Sequence, residues 1–133
     1  MKLDALIIMK DPMDEILSGK KTWEIRSRNC HKRGLIALIE SKSGTIVGTA
    51  EIVDSIGPLS IAEYNRNLDK SRDIKRRRDT KDDNYYAWVL KNAKRFKEPV
   101  KYKHKNGIIT WHPVNVPDKL ISKAQLKKRK KAA

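Results

Sequence analysis

A chain of 133 residues with 31 Lys and Arg against 16 Asp and Glu carries a formal net charge of +15 and has room for one domain with a single modest core. Its one cysteine excludes an internal disulfide and fits a reducing compartment, and no apolar run approaches the ~20 residues of a membrane span. We therefore expect a cytoplasmic protein, favour a monomer, and expect no membrane contact.

The N-terminal segment predicts a strand, a short helix and a second strand. Residues 3–9 are apolar enough for a buried strand. Asp11 and Pro12 are typical of a helix start, and Gly19 is typical of the residue that follows a helix end. Residues 22–26 alternate polar and apolar side chains, which predicts a strand.

Two further strands are predicted over residues 35–39 and 45–56, joined by a polar turn. Gly48, inside the second of them, predicts a bulge or the close approach of another backbone. Ser60 with Glu63 three residues later forms a capping box, which predicts a helix from about residue 61.

The net positive charge lies entirely in the second half of the chain. Residues 1–65 carry nine basic and nine acidic side chains, whereas residues 66–133 carry 22 basic and seven acidic ones. Residues 66–81 are almost free of apolar side chains and fit either a solvated helix or a loop. One-sided positive charge attracts polyanions, so it favours contact with nucleic acid over a merely solubilising surface.

The C-terminal half predicts three more strands and a basic tail. The strands cover residues 85–90, 100–103 and 108–111, and the last two flank a turn typical of a hairpin. Residues 118–133 begin as an amphipathic segment and end in a run of Lys and Arg, which predicts a tail that is partly helical or disordered.

Short strands that outnumber the helices, with no βαβ rhythm, predict an α+β fold. We expect a small, mostly antiparallel β-barrel with short peripheral helices. This domain would cover residues 1–117 and be followed by the tail over residues 118–133.

Lys21, Glu24 and Arg26 form a dense charged cluster beside the predicted second strand. On an ideal strand Glu24 and Arg26 share a face. A lysine desolvated beside a carboxylate can act in proton transfer, and the carboxylate can carry the proton. An ion pair that ties the turn to the strand explains the same spacing and is more common.

Other residue types give weaker signals. Glu51 lies among apolar neighbours in the sequence. It fits a general acid or base and an outward-facing strand residue equally well. The three histidines lack metal-ligand spacing, so we expect no metal and no cofactor. The aromatic residues of the late strands fit a core, with one at the mouth of a cleft; they are Tyr85, Tyr86, Trp88 and Trp111.

The chain resembles the ASCH (activating signal cointegrator homology) family of PUA-like domains. The resemblance rests on Gly-x-Lys-x-x-Glu-x-Arg, matched by Gly19, Lys21, Glu24 and Arg26, and it spans about residues 3–114. Further support comes from the segments before and after this motif, which are residues 12–17, 33–35, 47–53, 86–90 and 99–100.

The resemblance implies a cleft lined by this motif that recognises RNA or modified nucleobases. One family activity hydrolyses the amide of N4-acetylcytidine-type nucleosides with a lysine, a threonine and a glutamate. By resemblance, Lys21 is the lysine, and Glu51 is the candidate glutamate, whereas Glu24 stands where those hydrolases have threonine. Glu24 would then act through a water, with Lys21 as the base or the charge stabiliser and Glu51 as its orienting partner. Arg26, Thr22 and Trp23 would contact the substrate.

Two other functions stay open from the sequence. One is a non-catalytic RNA- or DNA-binding module, and the other is a ribonuclease that cleaves single-stranded RNA. In either case the phosphate backbone would lie on the basic segment and the tail, through Lys70, Arg72, Lys75, Arg76, Arg77, Arg78, Lys127, Lys128, Arg129 and Lys130.

Overall fold

A computed structural model describes residues 1–73 and 84–132, with side chains up to residue 128. These residues form six strands, four α-helices and one 3₁₀ turn. In chain order they are β1 (Lys2–Ile8), α1 (Lys10–Leu17), β2 (Trp23–Arg26), β3 (Gly34–Glu40), β4 (Thr45–Ile56), α2 (Ile61–Arg66), α3 (Leu68–Ser71), β5 (Tyr86–Lys101), β6 (Trp111–Asn115), the 3₁₀ turn Asp118–Leu120 and α4 (Lys123–Ala132).

The six strands form one mixed sheet in the order β2-β5-β4-β3-β1-β6. The α+β class is confirmed, but the predicted closed barrel is wrong, because no pairing among the described residues joins the edge strands β2 and β6. The expected mostly antiparallel arrangement is also corrected to a mixed one, since β1 lies parallel to β3. Parallel neighbours need a crossover connection, and α1 with β2 supplies it.

Local signals explain where the first helices begin and end. Gly19 has a positive φ of 84° directly after α1, as expected of a helix-ending glycine. Asp11 is not the N-cap, because α1 already begins at Lys10 and has Met9 as its N-cap residue. The capping box of α2 is confirmed, with the Ser60 hydroxyl accepting from the Glu63 backbone and Glu63 accepting from the Ser60 backbone.

Gly48 lies at a break in strand register. The pairing of β4 with β3 shifts in register between Leu38 and Ile39 of β3. The pairing of β4 with β5 shifts between Ile46 and Gly48 of β4. A Cβ at Gly48 would lie 2.2 Å from the Lys94 carbonyl oxygen. Both expectations for this glycine, a bulge and a close backbone, are therefore confirmed.

The sheet packs apolar side chains on both faces. The α1 face has a core that includes Met13 and Ile16 of the helix and Trp88 of β5. The α4 face has a second core that includes Phe96, with Leu126 of α4 packed against it. Because a different helix covers each face of the sheet, the register of β4 decides which of the two cores each of its side chains faces.

The C-terminal half departs from the sequence prediction in its strands. The predicted strands over residues 85–90 and 100–103 are parts of one continuous β5, and β6 begins only at Trp111. The turn before β6 is present, with Gly107 at φ 89°, but β6 pairs with β1 and not with β5. The predicted hairpin is therefore wrong, because β2 and β4 occupy both sides of β5 and β6 joins the sheet beside β1.

Candidate functional site

A cleft of about 720 Å³ opens between α1, β2 and the helices α2 and α3. Its size falls within the ~300–1,000 Å³ typical of small-molecule sites. Charged and aromatic side chains make up most of its lining, which consists of Asp11, Pro12, Glu15, Lys21, Glu24, Ile25, Tyr64, Ser71, Arg72, Asp73 and Tyr85. The cleft therefore includes two members of the charged cluster that the sequence singled out.

Lys21 is a buried ammonium group, with 6% of its surface exposed. It lies in the turn between α1 and β2, where its backbone N–H donates to the Glu15 carbonyl oxygen. Its Nζ donates to the Ser71 carbonyl oxygen at the end of α3 and lies 3.7 Å from Glu24 Oε1. These two contacts hold the ammonium group at the cleft wall.

Glu24 is held by the third member of the cluster. Arg26 donates to Glu24 Oε2 through Nη2 at 2.8 Å and Nε at 3.1 Å. Arg26 also donates to the Ile7 carbonyl oxygen, and its guanidinium lies 5.5 Å from the centre of the Trp88 ring. The arginine thus fixes one carboxylate oxygen, while the other faces Lys21.

Sequence reasoning missed Asp73, which lies at the cleft beside the cluster. Burial raises the pKa of its carboxyl group, an effect that the Lys21 charge opposes and the Glu24 charge reinforces. The Tyr64 hydroxyl donates to Asp73 Oδ2. Tyr64 was missed as well, and the one available signal for Asp73 was an acidic side chain within a basic segment.

Glu51 does not join the cluster. In β4 it pairs with Leu35 of the α4-side core, whereas Glu24 pairs with Trp88 of the α1-side core. Glu51 Oε2 accepts from Asn92 at 3.3 Å, and Oε1 lies 3.8 Å from Lys128 Nζ. The structure therefore places this carboxylate on the opposite face of the sheet from Lys21 and Glu24.

The remaining predicted substrate contacts lie beside the cleft and not among its lining residues. Arg26 is committed to Glu24, Ile7 and the Trp88 ring. Trp23 is buried in a small core with the Lys70 ammonium group 5.2 Å from its ring centre. Thr22 takes part through its backbone, which donates to the Lys70 carbonyl oxygen and accepts from Leu90.

The predicted nucleic-acid contacts are spread over several parts of the chain. Arg72 lines the cleft and pairs with Glu15 at 2.8 Å. Lys127 and Lys128 are exposed on α4, on the other side of the sheet. Lys70 is exposed, with its ammonium group beside the Trp23 ring. The remaining predicted contacts lie outside the described residues or side chains, namely Lys75, Arg76, Arg77, Arg78, Arg129 and Lys130.

The aromatic residues divide between core and cleft. Trp88 is buried and stacks on Trp111, with ring centres 5.9 Å apart and an interplanar angle of 12°. Tyr86 is half-buried against the same core, whereas Tyr85 lines the cleft and lies 5.9 Å from the Tyr64 ring. Two tyrosine rings therefore form part of the cleft wall.

The structure is an α+β domain with a mixed six-stranded sheet and a charged cleft of small-molecule size. The ASCH domain model matches residues 6–100, which is most of the chain. The protein therefore belongs to the ASCH family, a family of RNA-binding-like domains, and the resemblance drawn from the Gly19–Arg26 motif is confirmed.

Solved structures with the same fold come from Zymomonas mobilis. The crystal structure of ASCH from that organism has a TM-score of 0.66 and 13% identity, covering 96% of this chain and 93% of that one. A serine-to-alanine mutant of the same protein has a TM-score of 0.67 and 13% identity over 97% and 94%. A tyrosine-to-phenylalanine mutant has a TM-score of 0.62 and 16% identity over 74% of each chain. The TM-scores show a shared fold, and at such low identities the similarity shows the fold alone.

No curated protein matches the chain by sequence. No helix in residues 1–73 or 84–132 is long and apolar enough to cross a membrane. The same part of the chain brings no group of three or more His, Cys, Asp or Glu side chains into a metal-binding arrangement.

Proposed function

We propose that the cleft binds a cytosine-type nucleobase and hydrolyses the amide of N4-acylated cytosines. One observation carries the proposal: the buried Lys21 ammonium group lies at the cleft wall, 3.7 Å from a Glu24 carboxylate whose other oxygen is held by Arg26. A fixed cation can stabilise an oxyanion, and an oriented carboxylate can accept a proton. Amide hydrolysis needs both groups.

In this reaction Glu24 takes a proton from water, and the water oxygen forms a bond to the acyl carbon. Lys21 stabilises the negative charge that develops on the acyl oxygen. The bond from the acyl carbon to the exocyclic nitrogen then breaks, and the proton passes from Glu24 to that nitrogen. The products are a carboxylic acid and the free amino group of cytosine.

Other residues of the cleft support this assignment. The Tyr64 and Tyr85 rings offer faces against which a base can stack. Asp73, with its raised pKa, suits hydrogen bonding to a ring nitrogen or exchange of a proton with it. Arg26 acts as a positioning residue for Glu24, and Glu51 has no part in the reaction because it lies on the other face.

Loss of absorbance as N4-acetylcytidine is converted to cytidine tests the proposal. Lys21→Met should lower kcat/KM by about 10²-fold or more, because it removes the charge that stabilises the oxyanion. Lys20→Met is the matched control, since Lys20 is the exposed neighbour and should keep full activity. Activity that survives Lys21→Met would refute the assignment.

Binding of RNA without catalysis is the second candidate function. It is supported by the net charge of +15, which a small nucleoside hydrolase would not need. A folded wild-type protein that binds single-stranded RNA, but turns over no acylated cytosine, would favour this function over hydrolysis.

A further inference from the structure

A second groove, of about 470 Å³, lies where the end of β5 approaches the edge strand β6. Four lysines line it together with Tyr102 and His112, and no carboxylate does; the full lining is Lys2, Lys101, Tyr102, Lys103, Lys105, His112, Pro113, Val114 and Asn115. We call this the lysine groove.

The C-terminal segment that forms most of the lysine groove contains no negative charge, and Asp4 of β1, which pairs with Pro113, is bound to Lys32 at 2.7 Å. Residues 99–117 hold no Asp or Glu at all. Lys101, Lys103 and Lys105 are exposed, and the described part of the chain gives none of them a salt bridge. By contrast Arg72, at the cleft, is paired with Glu15. The lysine groove thus keeps its charge available to a polyanion.

Three aromatic rings form a fixed cluster beside these lysines. The Tyr102 ring centre lies 5.9 Å from that of His104 and 5.0 Å from that of His112, and the two histidine rings are 5.1 Å apart. Tyr102 Oη lies 2.9 Å from His104 Nδ1, and His104 Nε2 lies 3.0 Å from the Ile108 carbonyl oxygen.

These hydrogen bonds define the tautomers. A carbonyl oxygen only accepts, so His104 carries its proton on Nε2 and accepts from Tyr102 through Nδ1. His112 likewise donates from Nδ1 to the Pro113 carbonyl oxygen and accepts from the Lys105 backbone N–H through Nε2. The rings are therefore held rigidly, with His104 exposed at the surface.

We propose that the lysine groove binds single-stranded polynucleotide, with its lysines on the phosphates and the His104 ring stacked on a base. Three exposed lysines without carboxylate partners, beside an exposed ring, match the two needs of single-strand recognition, a cationic track and a stacking surface. In combination with the proposed hydrolase activity, on which this part rests, strand binding at the groove extends the substrate from the free nucleoside to an acylated cytosine within a polynucleotide.

A triple substitution tests the groove directly. Fluorescence anisotropy with labelled single-stranded RNA, single-stranded DNA and duplex DNA of one sequence would give the affinity at several salt concentrations. Lys101→Gln, Lys103→Gln and Lys105→Gln together should reduce the slope of log affinity against log salt by about 2, since each lost single-strand phosphate contact contributes roughly 0.7. The two single-stranded probes show whether the sugar matters.

The matched control carries Lys91→Gln, Lys94→Gln and Lys97→Gln, which remove three lysines from another part of β5. This control should keep the wild-type slope. An equal loss of slope in the two triple variants, or no loss in the groove variant, would overturn the proposal, because binding would then follow net charge or lie elsewhere.

His104→Ala separates stacking from charge. It should weaken single-strand binding about tenfold and leave the salt slope unchanged, because it removes the stacking of one base and keeps every phosphate contact. Unchanged single-strand affinity would remove the ring from the proposal. Circular dichroism on each variant shows that the fold is intact.

Turnover distinguishes failure of the groove from failure of the proposed activity. The groove triple variant should keep wild-type kcat/KM on free N4-acetylcytidine and lose it on an oligonucleotide that contains this base. If the wild-type protein turns over neither substrate, the proposed activity fails, whereas the anisotropy results still decide whether the groove binds a strand.

Discussion

Two buried carboxylates, one on each face of the sheet, show how differently the same side chain is used in this protein. Glu24 and Glu51 are 8% and 7% exposed. Glu24 lies at an open cleft, with two hydrogen bonds from Arg26 and the Lys21 ammonium group nearby. Glu51 lies on the α4 face, with one hydrogen bond from Asn92 and an oxygen that receives none in the described structure.

The difference shows that burial alone does not identify a reactive carboxylate. Glu24 has its orientation fixed by a cation and keeps access to a cleft that can admit a substrate. Glu51 has similar burial without either property, and its nearest cation belongs to an exposed side chain, Lys128. The neighbours of a carboxylate therefore carry more information about chemistry than its exposed fraction does.

The largest expected effect is on turnover. Glu24→Gln should lower kcat on N4-acetylcytidine about 10²- to 10³-fold, because an amide cannot take the proton of the attacking water. Glu51→Gln, the equivalent change on the other face, should keep kcat within about twofold. A large loss in Glu51→Gln with an intact fold would break the comparison and return Glu51 to the site.

The next effect is on stability, at the register break in β4, the strand that carries Glu51. Gly48→Ala should lower the free energy of unfolding by about 3 kcal/mol, since its Cβ would meet the Lys94 carbonyl oxygen at 2.2 Å. Gly107→Ala, at a positive φ with open space around it, should cost only about 1 kcal/mol. Urea denaturation would measure both, and equal costs would show that the backbone contact is not the cause.

A smaller effect of opposite sign is expected at the two carboxylates themselves. Glu51→Gln should raise the free energy of unfolding by about 1 kcal/mol, because it removes a poorly paired buried charge and keeps the shape. Glu24→Gln should lower it by about 2 kcal/mol, because it leaves Arg26 and Lys21 without their partner. Thermal denaturation that moved both variants in the same direction would contradict this distinction.

The smallest effect concerns Asp73, the further carboxylate of the cleft. Its pKa is raised in the fold, so the folded state holds the proton more tightly than the unfolded chain does. Its contribution to stability is therefore present below the ordinary value of 3.8 and is lost as the pH rises through the raised value. Asp73→Asn should flatten this part of the curve of stability against pH.

Urea titrations of the wild type and Asp73→Asn, from below pH 3.8 to neutrality, would check the prediction. The difference in the free energy of unfolding between the two proteins should move in favour of Asp73→Asn as the pH rises. Parallel curves would show that the carboxyl group titrates alike in the folded and unfolded chains.

Much of the local structure followed from the sequence because short-range chemistry determines it. Gly19 ends α1, Ser60 and Glu63 cap α2, and the alternation around Glu24 and Arg26 places those two side chains together. The family also followed from the Gly19–Arg26 motif. Each of these features depends on residues within a few positions of one another, so spacing is sufficient to predict them.

The tertiary structure alone decided which of the charged residues meet. Asp73 reaches the cleft because α3 packs beside β2, where Lys21 bonds to the Ser71 carbonyl oxygen across 50 positions of the chain. Glu51 lies apart from Lys21 and Glu24 because register shifts along β4, at Gly48 and again between Thr49 and Glu51, interrupt the alternation of the strand and leave this side chain on the α4 face. Strand register and the parallel pairing of β1 with β3 arise from contacts between distant segments, and no local pattern in the sequence specifies them.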